Sequence, residues 1–317
     1  MYAIHRPARA LTVALVVVLV MMGVGAAPAD KVAPAPSDSK AWLDAKSVCL
    51  FRLGAGSMPQ DMAQLTAALL DGWKRSIALP DPAKVISVEG DAFPALDALH
   101  IDLTDGELRP STKKDRIRVN NRIEESLKVS RLDVRGQPML LRNARLNMSL
   151  IASGAQLAFE RDRKGRPVMM LAEARSGMLA IDVTQADLES LLLQNARDAA
   201  SKYGITVEKT RLKFTPQTPR SIQASLYVAT KIGFVPAGMH FKAHMTIDNA
   251  MNARITGLTC DGDDVLGPII VGLLRPALAN YNGRTRPLLS FPAGKLQLRD
   301  VGLRVDDALH LTANFGS

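Results

Sequence analysis

Residues 239–247 read Met239-His240-Phe241-Lys242-Ala243-His244-Met245-Thr246-Ile247, and their alternation decides the class of fold. A period of two puts Met239, Phe241, Ala243, Met245 and Ile247 on one face of a strand, with His240, Lys242 and His244 on the other. The same period runs through Ile222, Ala224, Leu226 and Val228 just upstream. Further out, Leu146, Met148 and Leu150 alternate with Arg145, Asn147 and Ser149. The charged run Arg161-Asp162-Arg163-Lys164-Gly165-Arg166-Pro167 separates Leu157 and Phe159 from Val168 to Leu171, which predicts a hairpin with a charged turn. Two closing strands are expected at Leu296 and Leu298, continuing toward Val305, and at Leu309, Leu311, Ala313 and Phe315.

Three segments follow helical spacing instead. Ser57 and Pro59 signal a start, Met62, Leu65, Leu69, Trp73 and Ile77 form a stripe, and Pro80 and Pro82 stop it. Thr184 is suited to an N-cap, with Asp187 three residues on. Leu188, Leu191, Leu192, Ala196, Ala199 and Tyr203 make the stripe that ends at Gly204. The third segment begins near Asp263-Asp264 and runs from Val265 to Leu278, apolar on every side except Arg275, which predicts burial on every side. Gly267, Pro268, Gly272 and Pro276 are expected to bend or shorten it. Helices set among runs of strands imply an α+β plan with a large, mostly antiparallel sheet, and a long sheet with one apolar face can curl around a greasy helix.

The chain has 317 residues, 47% apolar and 22% charged, values that exclude wholesale disorder and a polytopic membrane protein. Arg6 and Arg9, the apolar run Leu11 to Val24, and Gly25-Ala26-Ala27-Pro28-Ala29 form a secretory signal over residues 1–29. Residues 30–57, rich in Pro, Ala and Ser at their start, read as a flexible lead-in, and 58–317 as a single domain. The expected location is the periplasm, the cell envelope or the exterior. Net charge is +9, and between Arg109 and Arg145 eleven Lys or Arg stand against four acids. Such a stretch suits an acidic partner; export argues against nucleic acid and leaves lipid headgroups or an anionic wall polymer. A solvated basic sheet face is the alternative. Cys49 and Cys260, the only cysteines, are expected to pair in an oxidising compartment.

Motifs of catalysis are absent. There is no Gly-x-Ser-x-Gly, phosphate loop or His-Glu-x-x-His. His240 and His244 are four apart, but on a strand they share the polar face with the cation Lys242, so no metal is expected. Asp261-Gly262-Asp263-Asp264 lacks the spacing of a calcium loop and reads as a turn and helix cap. His100 and His310 are isolated and have no recognisable Ser or Cys partner in sequence. Ten methionines beyond the signal fit either ordinary core packing or a flexible apolar tunnel.

From Thr184 onward the order of features resembles the LmeA-like phospholipid-binding proteins of bacterial envelopes, within the tubular lipid-binding (TULIP) superfamily. The residues that carry it are Ile181-Asp182-Val183-Thr184-Gln185-Ala186-Asp187-Leu188, then Ala253-Arg254-Ile255-Thr256, the apolar helix, and Leu288-Leu289-Ser290-Phe291-Pro292-Ala293-Gly294. Phe93-Pro94-Ala95-Leu96 is similar to the family's early segment. The resemblance implies a large curled, mostly antiparallel sheet wrapped on long helices around a lipid-accepting tube, with no catalytic residue to carry over.

The expectation is therefore an exported, non-enzymatic protein without cofactor that holds or transfers phospholipid or a related envelope lipid in an apolar tunnel. Leu188, Leu192, Ile222, Leu226, Met239, Phe241, Met245, Ile269 and Leu273 would line it. Lys113, Lys114, Arg116, Arg118 and Arg122 would meet anionic headgroups or an anionic membrane surface. Two rivals stand beside this reading. One is a scaffolding envelope protein with a filled core, and the other is an enzyme on envelope glycolipids using residues such as Asp182, His240 or His244.

Overall fold

The computed structural model describes residues 43–44, 50–54, 56–109, 118–119, 125–162, 164–201, 204–263, 266–288 and 295–317. The signal, Cys49, Lys113, Lys114, Arg116 and Arg122 lie outside the described residues. Elements run in the order β1 (Leu43–Asp44), β2 (Leu50–Arg52), α1 (Met62–Ser76), β3 (Ile77–Ala78), β4 (Ile86–Glu89), β5 (Ala95–Asp102), β6 (Glu107–Leu108), β7 (Arg118–Val119), β8 (Glu125–Leu141), β9 (Ala144–Arg161), β10 (Pro167–Glu173) and β11 (Ser176–Thr184). Then come α2 (Gln185–Ala200), β12 (Ile205–Thr218), β13 (Ser221–Ile232), β14 (Val235–Ile247), β15 (Asn252–Gly262), α3 (Gly267–Ala279), β16 (Thr285–Pro287), β17 (Gln297–Val305) and β18 (Ala308–Gly316).

Local chemistry accounts for the helix limits. α1 starts later than Pro59 because Asp61 is the better cap, its Oδ1 accepting from Gln64 N at 2.7 Å. Thr184 caps α2 as its position predicts: its Oγ1 accepts from Asp187 N at 3.1 Å and donates to the Asp187 carboxylate at 2.5 Å. Gly204, at φ +68, takes the left-handed turn that lets the chain leave the helix. α3 has no side-chain cap, since Asp263 turns to His240 instead, and Pro276 sits inside it. Burial on every side does not hold for α3. Ile270, Val271, Leu274 and Leu278 are buried, whereas Ile269 is 60% exposed. No helix among the described residues is long and apolar enough to cross a membrane.

Contacts divide the chain into two compact units. One takes its described residues from 27–181, 289–300 and 312–317. Its centre is the antiparallel hairpin of β8 and β9, 17 and 18 residues long. β10 pairs antiparallel with β9 and β2, joined to β9 by the charged turn the sequence predicts. β5 and β6 lie parallel to β8, and β4 antiparallel to β5. The alternating pattern gives no sign of these parallel pairings. Buried Phe51, Leu65, Leu69, Leu127, Leu157, Phe159, Met169 and Met170 fill the core. α1 lies so close to the strand end that a Cβ on Gly72 would stand 1.9 Å from the Arg52 carbonyl oxygen. The main path of the eleven-stranded sheet is β17-β18-β11-β9-β8-β5-β4.

The second unit takes its described residues from Asp182–Leu288 and Val301–Leu311. Its five-stranded sheet, in the order β12-β13-β14-β15-β16, is antiparallel throughout. Leu212, Ile222, Leu226, Val228, Met239, Phe241 and Met245 are buried on one face, as the period of two requires.

The curled tube on long helices does not form. Strands make up 59% of the structure and helix 19%, and the sheets are not curled. The cause is length. A strand of 17 or 18 residues spans about 55–60 Å, while helices of 15, 16 and 13 residues reach only about 20–24 Å. Capping and helix-breaking residues stop each helix well short of the length a wrapped tube needs.

Candidate functional site

The polar face of the second unit's sheet carries the most developed arrangement. Cross-strand register sets Arg211 opposite Tyr227 and Tyr227 opposite His240, and in the next row Lys213 opposite Ser225 and Ser225 opposite Lys242. These six residues line a groove of about 610 Å³, whose wall is completed by Gln185 and Glu189 from the first turns of α2. Arg211, Lys213 and Lys242 are exposed and make no ion pair among the described residues. The Tyr227 and His240 rings stack with centroids 4.7 Å apart at 39°, which stiffens one end of the row. His240 Nε2 donates to Asp263 Oδ2 at 2.8 Å, so that acid is occupied by the imidazole and not by the cations.

Glu189 has a structural task. Its Oε1 accepts from Leu212 N at 2.7 Å, while its backbone oxygen accepts from Thr210 Oγ1 at 2.8 Å. Arg197 donates to the carbonyls of Val207 and Glu208 at 2.9 and 3.3 Å. Together these bonds lay α2 along the outer edge of β12, satisfying backbone groups that no neighbouring strand meets.

Three further clusters involve histidine. His310 Nδ1 donates to Asp182 Oδ1 at 2.5 Å and its Nε2 to Asp306 Oδ1 at 2.9 Å. Carboxylates only accept, so both ring nitrogens must carry protons. The bonds to Asp306 and then Asp182 raise the His310 pKa above its ordinary value, and His310 in turn holds Asp306 below the usual carboxylate range. His244 Nε2 meets the Ser221 hydroxyl at 2.7 Å. In the other unit, buried Asp133 takes two bonds from Arg135, at 2.8 and 2.7 Å, with Arg131 and His100 each 3.7 Å away beside a pocket of about 270 Å³. No group of three or more potential metal ligands gathers among the described residues.

The residues expected to line a tunnel are placed as follows. Leu188, Leu192, Ile222, Leu226, Met239, Phe241 and Met245 are buried, at most 5% exposed, and belong to the core side of α2, β13 and β14. Ile269 faces outward and Leu273 falls within α3. Arg118 lies in β7, paired with β1; its four companions fall outside the described residues. Cys260 is half-buried and has no disulfide partner among the described residues; as a thiol it is pushed up to a pKa of about 12, by desolvation first and Asp261 second. The pairing with Cys49 involves a residue outside the described set.

Charge density along the sequence is concentrated over 109–145, away from the groove. The signal was present, since Lys209, Arg211 and Lys213 alternate along one strand face, but a regular row of cations has low density. Asp306 and His310, four apart across a turn, were also legible, whereas Asp182, 128 residues away, was not. No protein-family model, curated protein or solved structure matches this chain.

Proposed function

We propose that the protein binds anionic envelope lipid by its headgroup, in the groove on the polar face of β12, β13 and β14. The observation that carries this reading is the set of cations without an ion pair among the described residues, Arg211, Lys213 and Lys242, around a cavity large enough for a phosphate-bearing head and lined also by hydroxyl donors from Ser225 and Tyr227. Arg offers a planar fork to phosphate oxygens and Lys a point charge. In this mode the acyl chains stay in the bilayer, so the buried aliphatic faces serve as ordinary core. The export-type N-terminus supports an envelope lipid over nucleic acid as the anion.

The test is co-sedimentation with phosphatidylcholine vesicles containing increasing phosphatidylglycerol, comparing the natural chain with the Arg211→Ala, Lys213→Ala, Lys242→Ala triple variant. Each cation near an anionic surface contributes about 1 kcal/mol. Losing three weakens binding by on the order of a hundredfold. Exposed substitutions of this kind leave stability within about 0.5 kcal/mol. Binding that ignores the anionic lipid fraction, or a triple variant that binds as the natural chain does, refutes the reading.

A further inference from the structure

We infer that the β13–β14 hairpin tip is a membrane-inserting wedge that seats the second unit on an anionic lipid surface; this deepens the headgroup reading and rests on it. Ile232 and Val235 form the last pair of the hairpin, which leaves Gly233 and Phe234 alone as the turn. Gly233 has φ +60, the conformation a tight two-residue turn demands at its first position. Such a turn is rigid, and it holds Phe234 out with 97% of its surface exposed. Val235 is 46% exposed and Pro236 is exposed beside it. In water a polar residue at this turn position would cost nothing, whereas a fixed, fully exposed phenyl group forgoes the burial that an aromatic ring normally gains.

Charge on the strand beside the hairpin selects the surface. Lys231, opposite Pro236, is bound to Glu208 at 3.2 Å, and above it Lys209, Arg211 and Lys213 rise along the polar face. Lys209 pairs with Ala229, five residues before Phe234, so its backbone stands about 16 Å above the tip. A tip buried to a depth of about 5–10 Å, as interfacial elements are, brings the Lys209 ammonium down to the lipid phosphates. Arg211 and Lys213 pair with Tyr227 and Ser225, about 23 and 30 Å along the strands from the tip, so the hairpin must lie inclined toward the membrane plane for the groove cations to come within a Debye length of the surface.

The experiment uses the full chain on vesicles of equal phosphatidylglycerol and phosphatidylcholine. Phe234→Asp is expected to lower the partition coefficient by at least about tenfold. Phe234→Trp is expected to bind as the natural chain does and to show fluorescence quenching by brominated acyl chains beyond that of Trp42 and Trp73. If Phe234→Asp weakens binding while the groove triple variant does not, the wedge stands without the headgroup site. The wedge is overturned if Phe234→Asp binds unchanged or if Phe234→Trp binds without added quenching. It is also overturned if Phe234→Asp turns a lipid-free dimer into a monomer, which would assign the tip to a second copy of the chain.

Discussion

Gly72 and Gly272 both sit inside helices, yet alanine is expected to act in opposite directions at the two. At either site the intrinsic gain in helix propensity is about 1 kcal/mol. Gly272, in α3, has nothing within 4 Å of an added methyl group, so Gly272→Ala should keep most of that gain. At Gly72 the same methyl would stand 1.9 Å from the Arg52 carbonyl oxygen and 2.7 Å from its carbon. Carbon and oxygen in contact are separated by about 3.3 Å, so α1 must withdraw by on the order of 1 Å. A gap of that size forfeits up to about half of each dispersion contact it opens, and Leu65 and Leu69, both fully buried, lie on this helix. With overpacking against rigid backbone at about 3 kcal/mol and propensity returning about 1 kcal/mol, the net loss is about 2 kcal/mol. That corresponds to a melting temperature about 4–8 °C lower, set against a rise of about 1–3 °C for Gly272→Ala. Differential scanning calorimetry of the two variants beside the natural chain decides the matter. A Gly72→Ala protein that melts at or above the natural temperature would refute the close approach of α1 to β2.

The His310 cluster makes stability depend on pH. Because His310 is raised, its contribution is fully present below the unfolded value of about 6.5 and is lost as pH rises through the folded value. Urea unfolding should therefore show the gap between the natural chain and His310→Gln narrowing on the alkaline side; a gap that widens there would contradict the two donated bonds. Asp162 behaves in the opposite sense. Burial acts to raise its pKa, but the Arg166 side chain and the backbone N–H groups of Arg166 and Lys164 outweigh it, so the contribution is lost as pH falls through the lowered folded value. Asp162→Ala frees those donors in the β9–β10 turn and should cost about 1–3 kcal/mol near neutral pH, read as a shift in the urea midpoint. In reduced, folded protein, Cys260 should react with iodoacetamide at pH 8 on the order of a thousandfold more slowly than an ordinary thiol, a difference that disappears in denaturant.

Local elements were legible because the forces that set them act over a few residues. The Thr184 cap, the stop at Gly204, the hairpin turn at Asp162 to Arg166 and the inward faces of β13 and β14 all follow from spacing alone. What failed concerned how far elements extend and what they meet. An all-round apolar segment read as a buried helix, but Ile269 remained outside because the sheet covers only one side of α3. The tube required helices as long as the strands, and nothing in a pattern of alternation reveals that β8 and β9 outrun every helix more than twofold. The parallel pairing of β5 with β8 joins distant segments whose patterns look the same in either orientation. At the site, Arg211, Lys213 and Lys242 come together only through register, a property of two loops and a bulge rather than of any one strand.

The bonds from α2 to β12 carry a consequence for how this protein could fail. β12 is 14 residues long and terminal in its sheet, and its outward backbone is occupied by Glu189, Arg197 and the helix carrying them. Should that helix detach, a row of unsatisfied amides would become a template for the corresponding strand of a neighbouring molecule, and growth by strand addition would follow. The acid at Glu189 thus guards against polymerisation, a duty independent of whatever the groove beside it holds.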